Sequence, residues 1–227
     1  APMGFNKENI IVLRYPGDSI QASTFKKEVE KLACVKLVSN SRYTPSDGGD
    51  NYTIPREPKK TVSLQIMLGD KNFMKMYGFK VKKENTEGND LKVYVTEQTL
   101  RELGDDFYHF HWENILGDMG YKVNPRAVGV LEDFHIRNIE QETHPMIIFI
   151  KDKVSEPWNF SIQVTGNPVE ALEQIRDIYK KVYNYDIPDE HPFIDQQISA
   201  YYTEAIRLSH IVSLFATMAL LVSVLGL

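Results

Sequence analysis

The 227-residue chain has one cysteine, Cys34. It therefore has no intramolecular disulfide and no Cys-x-x-Cys metal or redox site, and a domain of this size needs no covalent staple. Cys34 lies between apolar neighbours in KLACVKLV, which predicts a buried, inert thiol rather than a reactive one. Nucleotide and hydrolase signatures are missing too. There is no GxGxxG, GxxxxGK[ST], HExxH or GxSxG. Without a phosphate-cradling loop, any ATP hydrolysis must belong to another chain. The 26 basic and 31 acidic residues leave a net charge of −5. That is no basic face, and it argues against a nucleic-acid partner. The opening APMGFNKEN lacks the basic and apolar regions of a signal peptide. Long apolar runs are absent as well, until the last eighteen residues.

Those eighteen, His210–Leu227 (HIVSLFATMALLVSVLGL), hold no Lys, Arg, Asp or Glu. The preceding FIDQQISAYYTEAIRLSH places Ile194, Ile198, Tyr201, Ala205 and Leu208 at helical spacing, and no breaker separates the two stretches. The pattern predicts one helix, a stalk over 194–209 running into the start of a transmembrane segment over 210–227. At 1.5 Å per residue the apolar part reaches about 25 Å, short of a ~30 Å hydrocarbon core. Its serines and threonine are tolerable in lipid. The alternative is a buried C-terminal core helix, which would need protein on every side.

Two strand–helix units flank the middle of the chain. NIIVLRY (Asn9–Tyr15) reads as a strand, and STFKKEVEKLA as a helix with Phe25, Val29 and Leu32 on one face, capped by Ser23 or Thr24. VKLVSNS returns as a strand. Near the other end, NFSIQVTG precedes a helix whose Asn167-Pro168 and Glu170 form an N-terminal signature, with Val169, Leu172, Ile175, Tyr179 and Val182 on one face. Between the units, residues 42–60 carry prolines, glycines and charges and read as a loop or hinge. From Thr61 to Ile150 short strand patterns dominate (TVSLQIML, LKVYV, AVGVL, MIIFI), with one helix, EQTLREL, capped by Thr96 and stopped by Gly104. The expected fold class is α+β in two lobes. Residues 1–60 and 151–193 form an α/β lobe, and residues 61–150 form an inserted β-rich lobe.

Four local features carry possible chemistry, each with a plainer alternative. His109 and His111 in HFH would share a face of a strand, but no third metal ligand lies nearby. Glu132, Asp133 and His135 in EDFH offer an acid–base pair; the plainer reading is a turn in which Asp133 accepts from backbone amides and Phe134 fills the core. SDGGDN (Ser46–Asn51) resembles a calcium loop without the ligand spacing of one, and a solvated loop is the simpler reading. Thr143-His144-Pro145 reads as a turn. No catalytic residue, cofactor site or metal site is assigned.

Taken in order, GFNKENIIVL, VYVTEQTLRELG, AVGVLEDFHIRNIEQETHPMIIFI and HPFIDQQISAYYTEAIRLSHIVSLFATMALLVSVLGL resemble the periplasmic core domain of MacB-like, FtsX-type ABC transporter permeases. The likeness runs from about Gly4 to Leu227. Its most specific parts are Val128–Val130 with Asp133–His135 and the stretch from Pro192 to Leu227; residues 42–60 and 105–126 match loosely. The resemblance implies a porter-like lobe with a β-rich insertion, set between the first and second membrane helices of a bacterial inner-membrane permease and lying mainly in the periplasm. The chain's abrupt start and end then correspond to those two membrane helices. The resemblance further implies a non-catalytic subunit driven by a cytoplasmic ATPase, paired with a second permease copy. Its other partners would be a periplasmic adaptor, an exported drug or peptide, or a cell-wall hydrolase. Export or mechanotransmission through the stalk is the leading expectation; regulation of a hydrolase is the alternative within the family. A membrane-anchored hydrolase using Asp133 and His135, and a tail-anchored cytoplasmic binding protein, are the readings from other classes.

Overall fold

The computed structural model describes residues 3–14, 19–56, 60–86, 90–109, 123–136, 143–154, 157–188 and 191–224. Nine strands among them join one mixed sheet. They are β1 (Ile10–Arg14), β2 (Val35–Ser41), β3 (Asp50–Arg56), β4 (Lys60–Asp70), β5 (Val81–Lys83), β6 (Leu91–Thr96), β7 (Gly129–Leu131), β8 (Met146–Lys151) and β9 (Asn159–Val164). The spatial order is β1-β9-β2-β4-β8-β6-β7-β5, with β3 paired to β4. Helices α1 (Ser19–Val29), α2 (Phe73–Tyr77), α3 (Glu97–Leu103), α4 (Pro168–Tyr183) and α5 (Ile194–Val224) complete it, with a 3-10 turn over Gly104–His109.

The two strand–helix units meet as their patterns suggest. β9 is antiparallel to both β1 and β2, from Ile10↔Gln163 to Arg14↔Asn159 on one side and from Val35↔Val164 to Ser41↔Asn159 on the other. β1 is apolar at four successive positions because both its faces are covered. Ile11 and Leu13 join a core with Phe25, Val29, Phe160, Ile162, Ile175 and Tyr179 beneath α1 and α4. Ile10 and Val12 point the opposite way, into a second core with Met67, Phe73, Tyr77, Phe134, Ile148 and Ile194. A third core, Leu64, Val93, Val95, Leu103, Phe107 and Ile147, lies under α3 and the 3-10 turn. One face of the sheet thus carries two separate cores, and the other face carries a single core shared by both chain halves.

Residues 42–60 depart from the expected loop. Asp50–Arg56 is a strand in full register with β4, from Asp50↔Ile66 to Arg56↔Lys60. Pro55 is compatible with it because β3 pairs with β4 alone, an edge setting in which proline is tolerated. The sheet therefore runs unbroken across residues 60 and 61. SDGGDN is not a solvated loop throughout, since Ser46 and Gly48 are buried.

Several local expectations shift. Helix α1 begins at Ser19, which leaves Thr24 inside it, donating from Oγ1 to the Ile20 carbonyl at 2.9 Å. Leu32 lies beyond the helix, half-buried against the α1/α4 core. In α4, Asn167 Oδ1 accepts from the Val169 amide at 3.0 Å and Asn167 Nδ2 donates to Glu170 at 2.8 Å. Val169 is exposed and Ala171 takes a core position, because the buried stripe follows Leu172, Ile175, Tyr179 and Tyr183. Thr96 has the extended backbone of an N-cap, yet its hydroxyl bonds Thr99 and the Met146 amide instead of capping α3. Cys34 is half-buried rather than buried, with Sγ 4.0 Å from Gln174.

At the β4–α2 corner, Gly69 lets Phe73 pack directly onto the strand. A Cβ on Gly69 would lie 2.3 Å from Phe73 Cγ, and Phe73 is fully buried with no room to retreat. Gly69→Ala should cost about 1–3 kcal/mol, the usual range for overpacking. Urea unfolding checks this, and an unchanged midpoint would show that the corner yields freely.

Candidate functional site

Helix α5 leaves the body beside β1, and its entry is fixed at several points. The Val12 amide donates to the Pro192 carbonyl at 2.7 Å, and Phe193 bridges Ile11. Ile194 is 0% exposed and Ile198 3%, both within the shared core. These are the first two residues of the expected stalk stripe. The side chains of Tyr201, Ala205 and Leu208 lie outside the described residues. The backbone continues as helix without interruption to Val224. From Ile211 onward the apolar side chains face outward on all sides, including Leu214, Phe215, Met218, Leu220 and Leu221. Among the described residues no helix is long and apolar enough to cross a membrane.

Polar side chains tie α5 to the sheet. Gln197 Nε2 donates to the His191 carbonyl at 3.0 Å, while its Oε1 accepts from Ser46 Oγ at 2.9 Å. Ser46 and Thr44 share a hydroxyl–hydroxyl bond of 2.8 Å. Thr44 donates from its amide to Asp47 Oδ2 at 3.1 Å, and its single hydroxyl proton is shared between that oxygen, also at 3.1 Å, and Ser46. Asn159, the first residue of β9, donates from Nδ2 to that same oxygen and to the Arg42 carbonyl. A chain of hydrogen bonds thus runs from the first turns of α5 to the middle of the sheet.

It ends at the narrowest seam of the sheet. β2 and β4 share one register pair, Ser41↔Gly69, beside the bond from the Arg42 amide to the Leu68 carbonyl at 2.9 Å. Here the carboxylate of Asp70, 3% exposed, gathers four donors: Lys26 Nζ at 3.1 Å, Ser39 Oγ at 2.7 Å, the Asn40 amide at 3.0 Å and the Asn72 amide at 3.0 Å. Four donors on one carboxylate replace the water it loses on burial. They also join α1, β2 and the β4–α2 corner. Nearby, Tyr77 is fully buried and its hydroxyl meets Ser161 of β9 at 2.7 Å. Burial pushes the Tyr77 hydroxyl well above the ordinary tyrosine range.

The EDFH turn has a structural setting. Asp133 accepts from the Gln98 amide at 2.8 Å at the start of α3, and from Arg101. That hydrogen bond raises the Arg101 pKa above its ordinary value. The carboxylate thus supplies the anion at the α3 N-terminus that Thr96 does not. Phe134 is buried against Phe79, centroids 4.6 Å apart, and the His135 amide donates to the Met3 carbonyl. Glu132 pairs with Lys80 at 3.3 Å. His109 sits on the 3-10 turn rather than on a strand, and His111 lies outside the described residues. Among the described residues no group of three or more His, Cys, Asp or Glu side chains is placed to hold a metal ion. Asp70 and Gln197 had no signal in the sequence beyond being polar, since each acts through residues distant along the chain.

No protein-family model matches the chain, and no curated protein sequence matches it. Solved structures similar to it include two permease domains. One is a domain of a suspected permease protein from Porphyromonas gingivalis, at 15% identity and a TM-score of 0.43 over 78% of this chain and 85% of that one. The other is the extracellular domain of the noncanonic ABC-type transporter YknZ from Gram-positive bacteria, at 13% identity and a TM-score of 0.46 over 79% of this chain and 97% of that one.

Breaking the Asp70 cluster tests its weight. Asp70→Ala leaves several donors buried without an acceptor and should cost about 3 kcal/mol or more. Lys26→Met should cost less, because Lys26 keeps 26% of its side chain in solvent. Denaturant titration of both variants decides it; equal losses would mean that the ion pair, and not the carboxylate's four bonds, carries the seam.

Proposed function

We propose that the chain is the extracytoplasmic part of an ABC-type permease that passes movement between a membrane and its own folded body. The observation that carries the reading is the build of α5. Its first turns are locked into the core by Ile194 and Ile198, and its far end exposes apolar side chains all round. A helix apolar on every side needs lipid or protein about it. The described apolar stretch, 211–224, reaches about 21 Å, against a ~30 Å hydrocarbon core. An unbroken helix joining lipid to a packed core is a stiff connector. The sequence resemblance to MacB-like, FtsX-type permeases supports the same reading.

In this proposal a separate cytoplasmic ATPase supplies the energy, and the movement reaches this domain through α5 in a membrane that holds a second permease copy. The two halves of the sheet, porter-like and β-rich, are the parts that move. The exported molecule is a drug or a peptide, delivered with or without a periplasmic adaptor.

Affinity purification from native membranes in mild detergent tests the proposal. An ABC ATPase should co-purify. Recovery of the protein from membranes without any ATPase would overturn the reading, and a cell-wall hydrolase recovered beside the ATPase would assign it to regulation in place of export. Ala205→Pro then tests the connector. Interior proline costs about 3 kcal/mol of helix, so the variant should keep its partner and the melting temperature of the folded body yet lose function. Full function in a folded variant would show that α5 transmits nothing.

A further inference from the structure

We propose that the β2–β4 seam is a hinge in the sheet and that Gln197 of α5 latches it shut through Ser46. The inference rests on the fold and does not require the chain to be a permease. Three observations converge on it.

The first is the width of the seam. β1 and β9 share five register pairs, β4 and β8 six, and β6 and β8 five. β2 and β4 share one. A sheet bends where the fewest ladder bonds must distort, and the seam is the narrowest join along its path. The second is the placement of the cores. On the helical face the cluster under α1 and α4 and the cluster under α3 are separate, and the seam lies between them. On the opposite face one core crosses the seam, joining Ile10 and Val12 of β1 to Ile148 of β8. A sheet joined on one face and divided on the other can flex about the joined face without coming apart, the geometry of hinge motion between packed bodies.

The third is the state of the polar groups at the seam. The Ser41 hydroxyl and the Asn40 side-chain oxygen are buried with no hydrogen-bond partner among the described residues. Buried polar groups are almost always paired, and each exception raises the free energy of the state that contains it. Opening the seam lets water reach both atoms and removes that cost. The closed seam is therefore held by other contacts. On one side are the four bonds to Asp70 and the bond from Asn72 Nδ2 to the Val38 carbonyl. On the other is the turn over residues 42–49, which leads from β2 into β3 on β4 and is tied to α5 and β9 through Gln197–Ser46–Thr44–Asp47–Asn159. Asp70 is wholly internal to the body. The second group of contacts is not, because Gln197 stands on the helix that leaves the body. Rotation or withdrawal of α5 breaks the Gln197–Ser46 bond, and the turn over residues 42–49 is then released from the helix while still attached to β2.

Amide hydrogen exchange on the intact chain tests the latch. The Arg42 amide, which bonds Leu68 across the seam, reports opening; the Ile162 amide, inside the β1–β9–β2 ladder, is the control. Ser46→Ala removes the bond with the least change in packing, and Gln197→Leu removes it from the helix side. Each should speed exchange at Arg42 by roughly tenfold, the effect of one buried hydrogen bond, and leave Ile162 unchanged. The double variant should match the singles, because both cut one link. Unchanged exchange at Arg42, or equal acceleration at Arg42 and Ile162, would overturn the proposal. The first result means that the latch holds nothing; the second means that the whole body loosens together. Neither result depends on a transport assay, so failure here is separable from failure of the permease reading.

Discussion

The arrangement of this protein depends on one buried carboxylate. Asp70 stands at the end of the longest strand and holds Lys26 of α1, Ser39 and Asn40 of β2 and the backbone entering α2. A carboxylate this buried is costly unless several donors meet it. Here they come from three elements, so desolvating Asp70 and joining the sheet are one event. Gly69 and Phe73 add shape to the same corner, since strand and helix approach more closely than a side chain on Gly69 permits. A sheet with one register pair at its middle stays closed because charge and packing take over where the ladder stops.

That economy has a mechanical consequence. Ladders of five and six pairs are stiff, and a join of one pair supported by side chains is compliant. The cores repeat the asymmetry, divided on the helical face and continuous on the other. α5 enters on the continuous side, where Ile194 and Ile198 pack with residues from both halves. Gln197 is one helical position from Ile198, so the residues that bury the helix and the residue that reports its position move as a unit. Stiff connector, shared core and compliant seam lie in contact with one another.

Much of this was legible in the sequence, for local reasons. α4 follows from Asn167-Pro168 and a 3.6-residue stripe, and β1 from four successive apolar residues closed by a turn signal. The docking of α5 through Ile194 and Ile198 was readable from their spacing, because burial of a helix face repeats in the chain. β3 was not readable. Asp50–Arg56 carries Pro55 and charges that signal a loop, and only its one-sided pairing makes a strand of it. The Asp70 cluster left no trace either. Its side-chain partners are 31 and 44 residues away, and an aspartate followed by Lys-Asn resembles any turn. Thr96 sits at a correct cap position, but tertiary contacts turn its hydroxyl inward and Asp133 takes over the cap from another element. Sequence patterns register what a residue does for its own segment. The seam and its latch are built by residues acting on other segments.

The central claim is that the position of α5 sets the angle between the two halves of the sheet. Distance measurement between paired spin labels tests it most directly, in a Cys34→Ser background. One pair at Glu173 on α4 and Asp105 on the 3-10 turn spans the seam; a second pair at Glu173 and Lys27 on α1 stays within one half. The measurement compares the free chain with the chain whose α5 is bound to phospholipid vesicles. The account predicts that the seam-spanning distance shifts or broadens on binding while the distance within one half is unchanged. Two distances that both stay fixed, with α5 demonstrably in lipid, would contradict it.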